Sequence, residues 1–469
     1  MSKPLPFFLL LAALLVASRM CHVSILWEGD TLPLATAEQM AAGKVVYRDV
    51  WYDKPPLVPA LHVLWGARPG WPLRLGNALY ALLACWIAFG FARDLWSERE
   101  GIWAAGLLGF FLVFDLPASV IPVASDLMML APHLAAMWMA WKRRPFWSGV
   151  WAGVAFWVSP KGLFVAAACA LWDPAGVALM AAGFAAVSAA MAGWLWSAGA
   201  LGAYWEEVWK WGRLYAASPF VESPLRNGIV RTLNWMGFHA AIVIAAGRFL
   251  WREGIRRYQE RRAAWLGWIG WLCLALIGLS TGLRFFPRYY FLLLPVVVMM
   301  AARGFTLLGR KREFVALLLL IPATRFGPSY LAALRNPEWR DIGMDRDSRA
   351  AAALVREMAK TGDTLFVWGY RPEIFSYTRL PAGTMYLDSQ PLTGVPADRH
   401  LTQSEPVETE AAARRRVVLT HTHPTFVVDG LGLLNPRLAI TNYPDLREWL
   451  GQYREVGRTG ETIVYRRAE

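Results

Sequence analysis

The chain has 469 residues, of which 56% are hydrophobic and only 18% are charged. Soluble globular proteins carry about 25% charged residues. Apolar runs of roughly 20 residues, long enough to cross a bilayer, recur through the first two-thirds of this sequence. A formal charge of +13 would suggest a nucleic-acid partner for a soluble protein. Here the basic residues cluster between the apolar runs, which is typical of cytoplasmic loops. The composition therefore predicts a polytopic α-helical membrane protein and argues against nucleic-acid binding.

The apolar runs predict about eleven transmembrane helices. The first covers residues 5–26, where a cleavable signal peptide is the competing interpretation. We favour a retained helix because the apolar stretch continues past any plausible cleavage point. The other candidate spans are residues 73–92, 102–115, 127–141, 146–159, 161–172, 175–197, 232–250, 264–282, 289–307 and 314–331. Two of these, 146–159 and 161–172, are short, so we expect them to be tilted or re-entrant.

The charge of the connections predicts the orientation. Residues 141–145, 248–262 and 303–313 are strongly basic, which is typical of cytoplasmic loops. Alternation from a cytoplasmic N-terminus places all three on that side. Four segments then face outward: residues 27–72, about 116–126, 198–231 and everything after 332. The pattern predicts a multi-pass membrane protein with a cytoplasmic N-terminus; in a bacterial cell its outer side is periplasmic or extracytoplasmic.

The part of the chain after residue 332 lacks the long apolar runs of the rest. Residues 348–363 form an amphipathic helical pattern, and three short β-rich runs follow, at 364–369, 425–430 and 462–467. These patterns predict two domains. Residues 1–332 would form the membrane domain, and residues 333–469 a small α/β domain on the outer face.

The first outer loop, residues 27–72, is dense in charge. Its charged residues include Glu28, Asp30, Asp49, Asp53 and Lys54. A solvated loop would explain them, but tryptophans and tyrosines alternate with these charges, which favours a position at the membrane interface. Two prolines stiffen the chain directly after Lys54. An acid and a lysine held at headgroup depth would suit a substrate with an apolar tail and an anionic head.

Further charged residues lie at the ends of later spans. Arg284 and Arg288 stand at an outward end, where the guanidinium groups suit a phosphate; a snorkelling pair that binds ordinary phospholipid headgroups is an equal alternative. Asp126 begins a span and is a functional candidate by position. Lys161, between the two short spans, either pairs with an acid or snorkels outward.

Four sequence blocks together resemble membrane glycosyltransferases of the C-type (GT-C) fold. They are EGD at 28–30, YRDVWYDKPPL at 47–57, RFFPRYYFLLLPVVVMMAARG at 284–304 and DTLFVWGYRPEIFSYTRLPAGTMYLDSQPLTG at 363–394. The similarity is to the bacterial protein-mannosyltransferase-like and aminoarabinose-transferase-like branches, including the galacturonosyltransferase-like domain. The resemblance covers most of the chain.

The resemblance implies an enzyme that takes a sugar from a polyprenyl-phosphate carrier and transfers it, with inversion, to an acceptor outside the membrane. The family's catalytic acid lies in the first outer loop, where Asp30 matches; Glu28 is so near that the identity of the base stays open. Lys54 would contact the carrier phosphate, with Arg284 and Arg288 around it. Arg288 stands where relatives often carry histidine.

The resemblance also places residues near the sugar or the acceptor. Asp126 matches a second acidic position, and the remaining members of this set are Asp49, Asp53, Tyr47 and Tyr289. On the residues alone, Asp49 and Asp53 are better interpreted as ion-pair partners of the neighbouring Arg48 and Lys54.

Two other classes of function compete with the transferase. A transporter would favour ionisable groups near mid-membrane and internal repeats, whereas the charges here concentrate at the outer ends. A non-catalytic scaffold that binds the carrier lipid is the third class. We assign no metal site, since the histidines of HTHP at 421–424 are too few. The sugar, the acceptor (lipid, glycan or protein), a divalent-metal requirement and the oligomeric state stay open.

Overall fold

The computed structural model describes residues 4–217, 223–255, 262–335, 339–395 and 404–468. Parts of the predicted segments 198–231 and 248–262 therefore lie outside the described residues. The α-helices up to residue 335 are α1 Pro4–Met20, α2 Glu28–Ala41, α3 Leu57–Leu64, α4 Trp71–Leu95, α5 Glu98–Phe111, α6 Pro117–Val120, α7 Ser125–Met128, α8 Leu130–Trp141, α9 Pro145–Val158, α10 Gly162–Trp172, α11 Val177–Ser197, α12 Leu201–Tyr204, α13 Trp211–Ala217, α14 Pro224–Phe238, α15 Ala240–Phe249, α16 Arg262–Ser280, α17 Leu294–Leu307, α18 Arg312–Leu317, α19 Leu320–Phe326 and α20 Pro328–Leu334.

The remainder of the chain, which we call the tail, combines helices with a small sheet. Its elements are α21 Arg340–Met358, β1 Leu365–Trp368, α22 Glu373–Thr378, α23 Gln390–Thr393, α24 Glu410–Thr420, β2 Phe426–Asp429, α25 Arg447–Leu450, β3 Tyr453–Arg458 and β4 Ile463–Arg467.

Four helical stretches in the described ranges are long and apolar enough to cross a membrane: Trp71–Leu95, Pro174–Ser197, Trp265–Leu283 and Gly309–Leu334. The pair α14 and α15 passes the same test together but bends by 89°. Every predicted span overlaps a helix. The total of about eleven crossings stays a prediction, because several of these helices are short.

The bend between α14 and α15 shows that residues 232–250 do not form one continuous helix, as the hydropathy pattern suggested. The break falls at His239. Its ring stacks 4.2 Å from the ring of Trp235 and 4.3 Å from the ring of Phe111, measured between centroids. Its Nδ1 lies 2.9 Å from the Trp235 carbonyl oxygen. These side-chain contacts hold the chain where it changes direction.

Small residues let α9 and α11 pack backbone to backbone. A Cβ added at Gly149 would lie 1.9 Å from the Met180 carbonyl oxygen, and one at Gly183 would lie 2.0 Å from the Phe146 carbonyl oxygen. Close approach through glycine is a common way for membrane helices to associate. This contact anchors α9, which leads directly into the turn that carries Lys161.

The sheet of the tail has the strand order β1-β2-β4-β3. The β1 and β2 strands are parallel, while β4 is antiparallel to both β2 and β3. The three strand runs predicted from the sequence contain β1, β2 and β4. We did not predict β3, because its residues YREVGR are largely exposed and polar and lack the apolar alternation of a half-buried strand. The fully buried β1 and β2 form the centre of this core.

The tail packs directly on the first outer loop. The Trp51 backbone N–H donates to the Met385 carbonyl oxygen at 2.8 Å. The Ala382 backbone N–H donates to Gln39 Oε1 at 2.9 Å. Residues more than 300 positions apart in sequence therefore share one hydrogen-bonded interface, and the tail becomes part of the frame that holds the loop.

The same interface contains a titratable contact between Glu38 and Ser376. Burial raises the pKa of the Glu38 carboxyl to about 7, although the hydrogen bond from Ser376 Oγ, at 2.9 Å, lowers it. A glutamate in the unfolded chain has a pKa of about 4.3. The folded protein therefore binds this proton more tightly. The resulting stabilisation is complete below about pH 4 and is lost as the pH rises through about 7.

We expect the unfolding temperature of the detergent-solubilised protein to decrease as the pH rises from about 5 to about 8. Glu38→Gln should reduce this fall, because the neutral amide keeps a hydrogen-bond acceptor but loses the proton equilibrium. Thermal unfolding followed by intrinsic tryptophan fluorescence measures the effect. Glu448→Gln, at an exposed position of the tail, is the matched control. An unchanged pH dependence in Glu38→Gln would contradict the assignment.

Candidate active site

A cavity of about 710 Å³, including its open mouth, lies where the first outer loop, α7, the segment around Arg288 and the tail meet. The polar side chains that line it are Glu28, Tyr52, Asp53, Lys54, Ser125, Asp126, Tyr215, Arg288, Tyr289, Tyr370 and Gln390. Both signs of charge therefore face one space.

Two cations line this cavity, each beside a carboxylate. Lys54 Nζ lies 2.8 and 3.0 Å from the two carboxylate oxygens of Asp53. Arg288 Nη2 lies 3.6 Å from Glu28 Oε1. Burial alone would lower the pKa of Lys54, but the Asp53 carboxylate outweighs it and raises that pKa. Lys54 is therefore charged at neutral pH, and 42% of its side chain is still exposed.

The backbone around Lys54 is held from both sides. Tyr47, in a left-handed conformation with φ of 70°, donates its hydroxyl to the Lys54 carbonyl oxygen at 2.7 Å. The Tyr52 backbone N–H donates to Glu207 Oε2 at 2.9 Å. After Lys54, two prolines lead into α3. Tyr47 is fully buried and does not line the cavity; it fixes the position of the lysine.

Arg288 reaches the cavity by passing close to the start of α2. A Cβ added at Gly29 would lie 2.8 Å from Arg288 Nη1 and 2.8 Å from Pro122 Cβ. No larger residue fits there without displacing one of these groups. The glycine between the two acids of the EGD block thus lets the guanidinium approach Glu28.

Asp30 occupies a different environment from Glu28. It is fully buried, and its Oδ2 accepts from Arg74 Nη2 at 2.8 Å while its Oδ1 accepts from the Val123 backbone N–H at 2.7 Å. It does not line the cavity. The expectation that Asp30 faces a substrate therefore does not fit its position, since both of its oxygens are bound by protein groups.

Asp126 lines the cavity and pairs with Lys161, whose Nζ lies 3.1 Å from Asp126 Oδ1. The same Nζ lies 3.1 Å from the centre of the Tyr289 ring, and the Tyr289 hydroxyl lies 3.1 Å from that of Tyr215. Lys161 therefore pairs with an acid, which is one of the two alternatives that the sequence left open. Asp126 and Tyr289 lie at the same cavity wall.

Arg284 and Asp49 lie outside the cavity lining. The Arg284 guanidinium is buried and stacks on the Tyr215 ring, 3.7 Å from its centre, and donates to the Tyr215 carbonyl oxygen at 3.0 Å. It thereby positions a tyrosine of the cavity wall. Asp49 is bound by Arg48 at 2.8 and 2.9 Å. Asp53 pairs with Lys54, so both acids have the ion-pair partners expected from the residues alone.

The polar lining residues that we did not single out from the sequence are Tyr52, Ser125, Tyr215, Tyr370 and Gln390. Tyr52 is one of the aromatic residues that alternate with the charges of the first outer loop, and Tyr370 and Gln390 belong to the tail. Within the part of the chain that the structure describes, no group of three or more His, Cys, Asp and Glu side chains is arranged to hold a metal ion.

Comparisons with solved structures identify the fold. The chain is a polytopic helical membrane protein with the GT-C glycosyltransferase fold, as the resemblance implied, and its architecture is ArnT-like. No protein-family model matches the sequence, and no curated protein sequence matches it significantly.

ArnT from Cupriavidus metallidurans bound to undecaprenyl phosphate matches with a TM-score of 0.57 at 15% identity, over 98% of this chain and 97% of that one. Its apo form matches with a TM-score of 0.54 at 14% identity, over 99% and 98%. The oligosaccharyltransferase of Archaeoglobus fulgidus in its apo form gives a TM-score of 0.53 at 14% identity, over 92% of this chain and 70% of that one.

The buried pair of Asp30 and Arg74 generates a prediction about stability. Asp30→Asn leaves the Arg74 charge buried without its counter-ion, so we expect the free energy of unfolding to fall by about 3–5 kcal/mol. Chemical unfolding in detergent measures this change. Asp49→Asn also removes an ion pair, but an exposed one, and should change stability little. Equal effects of the two substitutions would contradict a structural role for Asp30.

Proposed function

We propose that the chain is a glycosyltransferase that moves a sugar from a polyprenyl-phosphate donor to an acceptor at the outer face of a bacterial cytoplasmic membrane. The observation that carries the proposal is a single cavity in which Lys54 and Arg288 face the carboxylates of Glu28 and Asp126. ArnT, whose fold is similar, has been solved with undecaprenyl phosphate bound. Phosphate binding and proton removal are the two tasks that such a transfer needs.

Lys54 and Arg288 are the proposed ligands of the donor phosphate. A lysine supplies a point charge and an arginine a planar fork of donors, and both suit phosphate oxygens. Each has a carboxylate neighbour that compensates its charge, Asp53 for Lys54 and Glu28 for Arg288. The phosphate is the leaving group and needs no protonation, and the two cations would stabilise the charge that develops on it. Arg284 supports this wall through Tyr215.

Glu28, rather than Asp30, is the proposed general base. Glu28 lines the cavity, and its distance of 3.6 Å from Arg288 is longer than a hydrogen bond. It would take the proton of the acceptor hydroxyl as that oxygen attacks the anomeric carbon. The bond from the anomeric carbon to the phosphate oxygen breaks in the same step, and inversion follows. Asp30 instead holds the start of α2 in place through Arg74.

Further features of the proposal concern topology and the second acid. Asp126, held by Lys161, would contact the sugar or the acceptor. The basic connections support a cytoplasmic N-terminus, and the C-terminal domain predicted for residues 333–469 would then be extracytoplasmic. The lipid-linked donor and the acceptor lipid, glycan or protein are the expected partners.

A donor panel tests the proposal. Purified protein in detergent is incubated with undecaprenyl-phosphate-linked mannose, arabinose and galacturonate, and release of undecaprenyl phosphate is measured with and without added acceptor glycans. We expect one donor to be consumed. Glu28→Gln should slow its turnover by about 10²–10⁴-fold, because a general base is lost, while undecaprenyl phosphate still binds.

The control is Glu206→Gln, which changes an exposed glutamate outside the cavity and should turn over like wild type. If Glu28→Gln is fully active, Glu28 is not the base. Binding of undecaprenyl phosphate without consumption of any donor would favour a carrier-lipid scaffold. If the protein does not bind undecaprenyl phosphate and consumes no donor, the transporter interpretation is favoured.

A further inference from the structure

Two polar atoms in the cavity wall lack hydrogen-bond partners among the described residues. They are Gln390 Oε1 and the Tyr52 hydroxyl oxygen. Gln390 is 2% exposed and Tyr52 is 0% exposed. Buried polar groups in folded proteins are nearly always paired, because an unpaired one has lost its water without compensation. We therefore expect a ligand in the cavity to supply the hydrogen-bond partners of both atoms.

The position of Gln390 is fixed by its neighbours in the tail. Its backbone N–H donates to Asp388 Oδ1 at 2.8 Å, and Ser389 Oγ accepts from the Gly369 backbone N–H at 2.8 Å. Asp388 and Ser389 are both fully buried. The segment is thereby joined to the chain directly after β1. A side chain carried by such a segment is held in place before any ligand arrives.

The two groups are uncharged, unlike the cations that we assign to the phosphate. A phenol and a carboxamide match hydroxyl groups, which can donate to Gln390 Oε1 and exchange hydrogen bonds with the Tyr52 oxygen. The lipid part of a donor needs no such contacts.

We propose that Gln390 and Tyr52 form the subsite that binds hydroxyl groups of the transferred sugar, so that the tail sets which sugar is accepted. This proposal rests on the transferase function proposed above. It makes the tail part of the donor site.

The test compares donors that differ by one hydroxyl. Wild type is first assayed with undecaprenyl-phosphate-linked mannose, glucose, galactose, arabinose and galacturonate, and then with monodeoxy analogues of the best donor. A site built to bind a hydroxyl rejects an analogue that lacks it. We expect wild type to prefer the parent over at least one analogue by about tenfold or more in kcat/KM.

Gln390→Met and Tyr52→Phe should each lower kcat/KM for the parent sugar by about 10–100-fold, and each should turn over one analogue no worse than the parent. Binding of undecaprenyl phosphate, which carries no sugar, should not change. Gln452→Met, at an exposed position of the tail, is the matched control. If a variant at Gln390 fails to fold, Tyr52→Phe still tests the subsite, because it removes only a single oxygen.

The outcomes separate the two proposals. Suppose that wild type consumes a donor while both variants keep the wild-type ratio of kcat/KM between the parent sugar and every analogue. In that case the subsite is wrong and the transferase function stands. If wild type neither binds undecaprenyl phosphate nor consumes a donor, the transferase function fails and the subsite fails with it.

Discussion

The pairing of opposite charges inside one cavity is the constraint on which the site depends. Lys54 beside Asp53 and Arg288 beside Glu28 bring two cations to one partly enclosed space. Such charges interact more strongly there than in bulk water, because the surroundings are less polarisable. Each carboxylate compensates the charge of the neighbouring cation. A phosphate that enters finds donors already oriented, and this is what the proposed transfer requires.

This arrangement needs a rigid frame, which comes from distant parts of the chain. Beneath the cavity, Arg74 binds Asp30 and also donates to the carbonyl oxygens of His22, Ile25 and Ile121. A buried guanidinium with this many partners ties α4 to the start of α2 and to the segment before α7. The tail adds its own hydrogen bonds to the first outer loop. The site is therefore a product of the whole fold rather than of one motif.

Much of the site could be predicted from the sequence. Lys54, Arg288 and Asp126 were found because ionisable residues at the outer ends of apolar runs are conspicuous. The choice between Glu28 and Asp30 could not be made in this way. They lie two residues apart at the start of a helix, so their side chains point in nearly opposite directions. Only the packing of α2 determines which of them faces the cavity.

Other features could not be predicted because they depend on contacts between residues far apart in sequence. Gln390 reaches the cavity only because the tail docks on the first outer loop. The bend at His239 depends on ring stacking with Trp235 and Phe111, which a hydropathy profile does not record. By contrast, most helix positions follow from hydropathy alone, since burial in lipid or protein demands long apolar runs.

The most direct test of the central claim measures the affinity of the purified protein for undecaprenyl phosphate in wild type, Lys54→Met and Arg288→Met. Each substitution removes a charged donor to the phosphate, so we expect the dissociation constant to rise by about 10–100-fold. Lys210→Met, an exposed lysine paired with Glu206, should bind like wild type. Unchanged affinity in both Lys54→Met and Arg288→Met would contradict a phosphate site in this cavity.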